Sequence, residues 1–370
     1  MRYLISGGGT GGHIFPAVSI ANALRELDKE AEILFVGALG RMEMERVPAA
    51  GYKIIGLPVR GFNRAQPWKN ISVLWDLLKS MRQARQIVHD FQPNVGIGVG
   101  GYASGAAMKV AAKMGVPILL QEQNGFAGVT NKLLKDDATK ICVAYENMER
   151  FFPAEKIILT GNPVRQNLVA TDKKQAIQEI NTEFGVNFRE DCPTLLIIGG
   201  SLGARTINDA IGAGIEQILK AGIQVIWQTG KTYYEKCRQI SESITTGKER
   251  LVCTAFVSNM AAAYGVADLV ISRAGASSIS ELCLLGKASI LVPSPNVAED
   301  HQTHNAMALV NKDAALLVKD CEAAEKLVNQ ALTTITDKKQ LETLSNHVLQ
   351  LAQKDSARRI AEQVMLIAKK

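Results

Sequence analysis

Short runs of aliphatic and β-branched residues alternate along this chain with longer segments of helical spacing. Eleven of these runs have the length and composition of strands: 2–6, 33–36, 95–99, 117–120, 141–144, 157–159, 195–198, 224–228, 251–255, 269–272 and 288–292. Strands separated by helices of this length are typical of repeated βαβ units, which build parallel sheets. Because eleven strands are too many for one doubly wound sheet of ordinary size, we expect two sheets of about five or six strands.

The length and composition fit two folded domains. The 370 residues correspond to about two domains of roughly 150 residues each. With 47% hydrophobic and 21% charged residues, the chain has ample core material, which excludes a mostly disordered protein. A membrane-spanning helix is not expected, because even the apolar run 106–120 contains Lys109 and Lys113. The N-terminus enters a glycine run too early to form a signal peptide.

Cysteine usage and net charge further limit the cellular compartment and the partners expected for this protein. The six cysteines include no Cys-x-x-Cys pair, which predicts a reduced cytosolic chain with neither a disulfide framework nor a zinc site. The net charge of +6, from 42 basic and 36 acidic residues, is too small to indicate a nucleic-acid partner, and none is expected.

The order strand, glycine loop, helix occurs twice. It is found over residues 2–22 and again from residue 195, where the strand is followed by the glycines of 199–203. A second domain therefore begins its first βα turn near residue 194, with the boundary within 160–192.

The last thirty residues have a helical pattern throughout. Asp355 or Ser356 is a candidate N-cap for a final helix, whose apolar face includes Ile360, Val364 and Ile367.

Glycine loops between a strand and a helix suit anionic ligands, because their amides approach a phosphate closely and the helix N-terminus attracts it. Neither loop has the Gly-x-Gly-x-x-Gly spacing of a dinucleotide site, and the strand at 33–36 is followed by Gly37-Ala38-Leu39 with no carboxylate for a ribose. A P-loop is excluded because no Gly-Lys-Ser/Thr sequence follows. Simple tight turns remain an alternative, although two matching loops make that interpretation weaker.

Eight short motifs stand out along the chain. They are Gly8-Gly9-Thr10-Gly11-Gly12-His13-Ile14-Phe15-Pro16-Ala17, Gly100-Gly101-Tyr102-Ala103-Ser104-Gly105, Glu122-Gln123-Asn124, Gly161-Asn162-Pro163-Val164-Arg165, Gly199-Gly200-Ser201-Leu202-Gly203-Ala204, Ser272-Arg273-Ala274-Gly275-Ala276, Ser280-Glu281 and Asp300-His301-Gln302-Thr303-His304-Asn305-Ala306. Together they resemble the motifs of the MurG family of bacterial glycosyltransferases. Each motif alone is weakly specific, but they occur in the family's order over about 300 of the 370 residues. The ordered set is highly specific.

The resemblance implies an α/β protein of GT-B fold, with two Rossmann-like doubly wound domains facing a cleft. Residues 1–163 would form an N-terminal domain on the acceptor and membrane side, with a C-terminal helix at about 353–370 packing back on it. Residues 164–352 would form the UDP-sugar-binding domain.

The activity implied by the resemblance is inverting transfer of N-acetylglucosamine from UDP-GlcNAc to the 4-hydroxyl of the muramyl sugar of lipid I. The products would be lipid II and UDP, in peptidoglycan synthesis. A UDP-sugar epimerase, another lipid glycosyltransferase of the same fold and a non-catalytic nucleotide-binding module remain alternatives.

Charge builds on UDP as the bond to the sugar breaks, so the site must supply positive charge. The chain has no Asp-x-Asp sequence or other convincing carboxylate pair for a metal, and no metal or cofactor is expected. Arg165 after a strand, Ser201 with its loop amides, and the turn at 275–278 before a helix are the available groups. One helix N-terminus contributes about 0.3 to 2 kcal/mol, so several donors must act together.

The resemblance also assigns binding residues for UDP-GlcNAc. Arg165 and Ser201 would contact the diphosphate, Glu281 the ribose, Asn124 and Gln302 the sugar hydroxyls, and the Val257 backbone the uracil. The remaining candidates lie in the two glycine turns: Thr10, Gly11, Gly12, Ala276, Ser277, Ser278, Ile279 and Ser280. Structural alternatives are a surface ion pair for Arg165, a solvated helix carboxylate for Glu281 and a turn role for Asn124.

His13 is the best candidate for the general base, because it begins the first helix beside a glycine loop and imidazole titrates near neutral pH. The alternative is that His13 caps the helix or hydrogen-bonds the loop. Glu122 is a second, weaker candidate that a buried structural network explains equally well. His301 and His304 share a helical face, but no further ligand pattern makes them a metal site, and the family often has glutamine at position 301.

The stretch 60–85 carries six basic residues and one acid, which is +5 of the chain's net charge of +6. Aromatic groups among cations suit docking on an anionic membrane, and the candidates are Trp68, Lys69, Trp75, Lys79 and Arg82. We therefore expect peripheral attachment to the cytoplasmic face of the bacterial inner membrane, where other cell-wall synthesis proteins are possible partners. The alternative is a core helix whose apolar stripe comprises Ile71, Leu74, Trp75, Leu78 and Met81.

Overall fold

The structure is a computed structural model that describes residues 1–61, 70–164, 168, 171–200 and 202–368. The chain divides into two compact units, Met1–Arg165 with Gln353–Lys370, and Gln166–Ala352. Each unit contains one parallel sheet with helices packed against it.

The first unit holds a seven-stranded sheet. Its strands are β1 (Arg2–Ser6), β2 (Glu32–Ala38), β3 (Lys53–Leu57), β4 (Val95–Gly98), β5 (Ile118–Glu122), β6 (Lys140–Val143) and β7 (Ile157–Leu159). Its first five helices are α1 (Gly11–Leu27), α2 (Glu43–Ala49), α3 (Asn70–Phe91), α4 (Tyr102–Lys113) and α5 (Val129–Leu134). The strand order is β3-β2-β1-β4-β5-β6-β7, and every pairing is parallel.

The second unit holds a six-stranded sheet. Its strands are β8 (Thr194–Ile198), β9 (Gln224–Gln228), β10 (Leu251–Thr254), β11 (Leu269–Ser272), β12 (Ser289–Leu291) and β13 (Leu316–Leu317). Its helices are α6 (Lys173–Phe184), α7 (Arg205–Lys220), α8 (Tyr234–Ser243), α9 (Met260–Val266), α10 (Ala276–Leu285), α11 (His301–Val310), α12 (Ala323–Thr336) and α13 (Lys338–Gln350). The strand order is β10-β9-β8-β11-β12-β13, again entirely parallel.

The central strands are apolar on both faces because helices cover both sides of each sheet. Leu4 and Ile5 of β1 and Ile197 of β8 are fully buried. In the second unit the buried Trp227 donates from Nε1 to Asn208 at 2.9 Å, so its one polar atom is paired within the core. The α/β class with two parallel sheets, predicted from the spacing of the strands, is confirmed.

Each sheet has one place where the winding reverses direction. In the first unit β1 lies between β2 and β4, and in the second β8 lies between β9 and β11. Connections leave such neighbouring strands toward opposite sides, which opens a crevice at their carboxyl ends. The loops after β1 and β4 meet at the first crevice, and the loops after β8 and β11 meet at the second.

The final helix, α14 (Ser356–Ile367), belongs to the first unit and packs against α1. Ile360 and Val364 are fully buried and Ile367 packs at the edge of the same core, as their spacing predicted. The helix is held further by Arg359, whose Nη2 donates to the Leu159 carbonyl at 2.7 Å.

Two expectations from the sequence need correction. The last thirty residues do not form continuous helix, because α13 ends at Gln350 and Asp355 has a φ of 56° at the N-cap of α14, with no side-chain capping bond. The eleven predicted strands are all present, but the described residues also contain β3 and β13, so the first sheet has seven strands rather than five or six, whereas the second has six.

Membrane-spanning helices were not expected from the sequence. Among the helices described here, none is both long enough and apolar enough to cross a bilayer.

The packing of α14 on the first unit can be tested by truncating one buried side chain. Ile360→Ala is expected to lower the free energy of unfolding by about 2 to 5 kcal/mol, because it leaves a cavity between α14 and α1. Leu366→Ala is the matched control, since Leu366 lies on the same helix and is 75% exposed; it should change stability by less than about 0.5 kcal/mol. Equilibrium urea unfolding followed by circular dichroism measures both, and equal effects would contradict the packing.

Candidate active site

The first glycine loop joins β1 to α1 at the crevice of the first unit. Gly9 has a φ of 87°, a conformation that favours glycine, and Thr10 occupies the N-cap position of α1. The backbone N–H groups of His13 and Ile14 donate to the Thr10 carbonyl at 3.1 and 3.2 Å. His13 therefore lies in the first turn of the helix, as the sequence predicted.

The imidazole of His13 is held against the backbone of two loops. Its Nδ1 lies 2.9 Å from the Gly8 carbonyl oxygen and 3.5 Å from the Thr10 hydroxyl. A side chain at Gly100 would place its Cβ 2.9 Å from the ring atoms Cδ2 and Nε2, so glycine is required where the β4 loop passes the ring. The loop hydrogen bond that the sequence left as the structural alternative is present, and it also orients the ring.

Glu43, which the sequence analysis did not single out, lies beneath this loop. It begins α2 and is fully buried. Its Oε2 accepts from the Gly9 N–H at 2.9 Å, and its Oε1 accepts from the Ala38 N–H at 3.0 Å. The Gly9 amide, which a glycine loop would be expected to offer to a phosphate, is therefore paired with a carboxylate of the chain itself.

Glu122 ends β5 and is 2% exposed. Its Oε1 accepts from the backbone and side-chain N–H groups of Asn124 at 3.1 and 3.4 Å. Its Oε2 accepts from the Gly128 N–H at 3.0 Å and from Asn131 Nδ2 at 2.9 Å. Four donors on one buried carboxylate favour the structural network over a role as base, and they place the Asn124 amide beside Glu122.

A pocket of about 540 Å³ lies at the crevice of the second unit. Its wall includes the glycine loop after β8, the loop after β11, the first turn of α10 and the start of α11: Gly199, Gly200, Gly203, Arg273, Ser278 and Gln302. Ser278 and Gln302, which the sequence predicted separately, are therefore brought to the same pocket. Gln302 is oriented there by Ser294, whose backbone N–H donates to its Oε1 at 2.9 Å.

The N-terminus of α10 reaches this pocket. Gly275 is its N-cap, so the amides of Ala276, Ser277 and Ser278 belong to the first turn, where backbone N–H groups have no acceptor within the helix. Ile279 is buried in the core, and the Ser280 hydroxyl donates back to the Ala276 carbonyl at 2.9 Å. Among these predicted residues, Ser278 lines the pocket.

Arg273 is a residue of the pocket to which sequence reasoning gave no role. Its Nη1 donates to the Val292 carbonyl at 3.0 Å and pairs with Asp320, which in turn accepts from the Thr206 hydroxyl at 3.0 Å. The ion pair is only 15 to 19% exposed. Because the two charges compensate, the main effect of Arg273 is to fix the ends of β11 and β12 beside the start of α7.

Glu281 and Val257 are both buried in the second unit. Glu281 is 5% exposed and accepts from the Tyr264 hydroxyl at 3.1 Å, so the interpretation as a solvated helix carboxylate is wrong. The Val257 backbone N–H donates to Gln228 Oε1 at 3.0 Å. Neither residue is part of the wall of the pocket defined above.

Four of the predicted site residues lie outside the described residues: Arg165, Ser201, Trp68 and Lys69. His301 is half-buried and His304 is exposed. Over the described ranges, no three His, Cys, Asp or Glu side chains are grouped in a way that would hold a metal ion.

The predicted apolar stripe of α3 is wrong at two of the three positions whose side chains are described. Met81 packs on the core, but Trp75 is 70% exposed and Leu78 is 53% exposed. The core contacts come instead from Val73 and Leu77, which lie off that stripe. Trp75 and Leu78 thus lie on the outer surface of the helix. They share that surface with the exposed side chains of Lys79 and Arg82, and we call these four residues the α3 outer face.

Three cysteines, Cys142 and Cys283, which are buried, and Cys253, which is half-buried, are not suited to nucleophilic chemistry. Burial raises the pKa of Cys142, Cys253 and Cys283 to about 12 in each case. These thiols are therefore protonated at neutral pH, whereas the thiolate is the reactive form.

Both halves of the chain match models of one glycosyltransferase family. Residues 3–143 match the glycosyltransferase family 28 N-terminal domain, and residues 194–364 match the glycosyltransferase family 28 C-terminal domain. The second match extends into α14, which packs with the first unit.

Full-length relatives are similar to this chain. A Bacteroides fragilis protein named UDP-N-acetylglucosamine--N-acetylmuramyl-(pentapeptide) pyrophosphoryl-undecaprenol N-acetylglucosamine transferase is 59% identical, over 100% of this chain and 96% of that protein. The crystal structure of Acinetobacter baumannii MurG superposes with a TM-score of 0.80 at 25% identity, covering 99% of both chains. A putative UDP-N-acetylglucosamine 2-epimerase from Listeria monocytogenes has a TM-score of 0.66 at 13% identity, covering 97% of this chain and 94% of that one, which shows a shared fold alone.

Proposed function

The chain belongs to the MurG group of glycosyltransferase family 28, and from this premise we propose which of its residues carry out the reaction. It has the GT-B fold and is an N-acetylglucosaminyltransferase of peptidoglycan synthesis that uses UDP-GlcNAc and lipid I and forms lipid II. The observation that carries this conclusion is the 59% identity over the whole chain to a transferase of that name. The epimerase alternative rests on similarity of fold alone.

We assign the two units different substrates. The first unit, close to residues 1–163 with the final helix, would bind the acceptor and face the membrane. The second, close to residues 164–352, would bind the sugar nucleotide. Support for the second assignment comes from the pocket of about 540 Å³ at the carboxyl ends of β8 and β11, where ligands bind in doubly wound sheets.

The diphosphate would bind where backbone donors converge in that pocket. The first-turn amides of α10 and the amides of the glycine loop after β8 provide dipoles directed at an anion. Each hydrogen bond to a charged group contributes about 1.5 to 3 kcal/mol, so several such donors stabilise the charge that develops on UDP as it leaves. The family resemblance adds Arg165 and Ser201 to this set.

The remaining donor contacts are proposed from the family resemblance, and the structure adds an orientation for Gln302. Gln302 has its carbonyl oxygen fixed by Ser294, so its amide NH₂ would donate to a hydroxyl of N-acetylglucosamine. By the family resemblance, Glu281 would accept from the ribose hydroxyls and Asn124 would contact a sugar hydroxyl. Val257 would contact the uracil through its backbone.

The transfer would proceed as one inverting displacement at C1 of the sugar. The 4-hydroxyl of the muramyl residue attacks from the side opposite UDP and must lose its proton in that step. His13 would accept this proton at Nε2 while Gly8 holds Nδ1. Glu122 is not proposed as the base, because four hydrogen bonds already occupy its carboxylate.

Replacing the imidazole tests the assignment of the base. His13→Ala is expected to lower kcat by at least about a hundredfold, the usual contribution of a general base, while the Kd for UDP changes little. His89→Ala is the control, since the His89 side chain is 73% exposed on α3 of the same unit. Steady-state kinetics with a lipid I analogue and calorimetry with UDP measure both effects. Turnover like that of the wild type in His13→Ala would refute the role.

We also propose that the α3 outer face docks on an anionic membrane. An indole, an aliphatic side chain and two cations on one exposed helical surface combine apolar insertion with electrostatic attraction. Trp68 and Lys69, which precede this face in the sequence, are proposed to take part in the same docking. The site of action would then be the cytoplasmic face of the cell membrane, next to the lipid-linked acceptor.

Vesicle sedimentation tests the docking surface. Each Lys or Arg near an anionic surface contributes about 1 kcal/mol, so Lys79→Glu with Arg82→Glu should reduce binding to phosphatidylglycerol vesicles at least about tenfold. Lys338→Glu with Lys339→Glu makes the same charge change at exposed positions of α13 and should leave binding nearly unchanged. Wild-type binding that is equal on anionic and neutral vesicles, or equal loss in both double variants, would contradict the proposal.

A further inference from the structure

We propose that Glu43 acts on His13 through the Gly8–Gly9 peptide bond, as a positioning residue for the transfer. The inference rests on the proposed role of His13 and extends it to one further residue, which hydrogen-bonds the loop that holds the imidazole.

Glu43 is in direct contact with the glycine loop after β1. The carboxylate is fully buried and reaches the N–H of Gly9 at 2.9 Å and the N–H of Ala38 at 3.0 Å. A buried carboxylate is costly unless it is hydrogen-bonded, and these two amides supply one donor for each oxygen. Glu43 therefore ties the loop after β1 to the end of β2.

The peptide group that contacts Glu43 also contacts His13. The Gly9 N–H and the Gly8 carbonyl are the two ends of one amide, and the Gly8 oxygen lies 2.9 Å from Nδ1 of His13. The order is therefore carboxylate, peptide N–H, peptide carbonyl and imidazole. Hydrogen bonds in such a chain polarise one another, so a carboxylate at the N–H end makes the carbonyl a stronger acceptor.

The contact with Gly8 determines which nitrogen of the His13 ring carries the proton. A carbonyl oxygen can only accept, so Nδ1 must carry the proton, and in the neutral ring the lone pair then resides on Nε2. The competing tautomer would have Nδ1 accept from the Thr10 hydroxyl, but that distance is 3.5 Å against 2.9 Å to Gly8. Glu43 thus favours the tautomer that a base acting at Nε2 requires.

The surrounding glycines keep this peptide in place. A Cβ at Gly8 would overlap the Glu43 carboxylate, and a Cβ at Gly101 would lie 2.6 Å from the Gly8 oxygen. The peptide is therefore confined between Glu43 on one side and the β4 loop on the other. Small displacements of Glu43 are transmitted to the Gly8 carbonyl because neither neighbour leaves space for an independent adjustment.

A double-mutant cycle on kcat tests the coupling. Glu43→Gln keeps the size of the side chain but has one carbonyl oxygen for two N–H donors, so it should lower kcat about tenfold or more with a KM for UDP-GlcNAc within about threefold of the wild type. In a His13→Ala background the same change should reduce kcat by less than about twofold, since its effect passes through the imidazole. Glu45→Gln is the control, because it makes the same change from carboxylate to carboxamide at an exposed position of the same helix.

The outcomes separate the two proposals. Wild-type turnover in His13→Ala ends the proposed role of His13. A large loss in His13→Ala with no loss in Glu43→Gln overturns only the present inference. Equal losses from Glu43→Gln in both backgrounds would mean that Glu43 merely stabilises the fold, which also overturns it.

The tautomer can be measured without any Glu43 variant. In protein labelled with ¹⁵N-histidine, long-range ¹H–¹⁵N spectra above the pKa of the ring identify the protonated nitrogen, and His13→Gln assigns the signal. Protonated Nδ1 is expected for His13. Protonated Nε2 would overturn the inference even if Glu43→Gln failed to fold.

Discussion

Backbone N–H groups at the carboxyl ends of parallel strands, and in the first turn of the helix that follows, have no partner in the sheet or the helix. Another group must accept hydrogen bonds from these N–H groups, and the two units provide that acceptor in different ways. In the first unit the buried carboxylate of Glu43 accepts from Gly9 and from the end of β2. In the second, the corresponding crevice is a pocket of about 540 Å³ lined by glycines and the start of α10. Two similar local sequences therefore form different loops. The first is held by a carboxylate of the chain itself, and the second is suited to bind an external anion.

The arrangement of the strands was predictable because each central strand is buried on both faces and so forms an unbroken apolar run. The two missed strands lack that signal. β3 contains a glycine and begins with an exposed lysine, and β13 is only two residues long at the edge of its sheet. The break before α14 was missed for a different reason. The apolar spacing continues on both sides of it, although residues 351–355 are non-helical and Asp355 has a left-handed backbone.

Prediction of the site succeeded where a motif carries its own local geometry. His13 and Ser278 are each positioned by a glycine turn and the helix that follows, so sequence sufficed to place them at helix starts. Glu43 and Arg273 depend on contacts between segments distant in the chain, such as Arg273 with Asp320. Such contacts cannot be predicted from a local sequence pattern. The exposure of Trp75 was likewise decided by which side of α3 meets the core, since its apolar residues extend around more than one face.

The central claim is that this chain joins N-acetylglucosamine to lipid I by a single inverting displacement that needs no metal. The most direct test uses purified protein, UDP-GlcNAc and a short-chain lipid I analogue, with EDTA present and the product analysed by mass and anomeric configuration. The account predicts a β-linked disaccharide lipid with one UDP released for each molecule formed. An α-linked product, loss of turnover in EDTA, or isomerisation of the UDP-sugar without acceptor would contradict it.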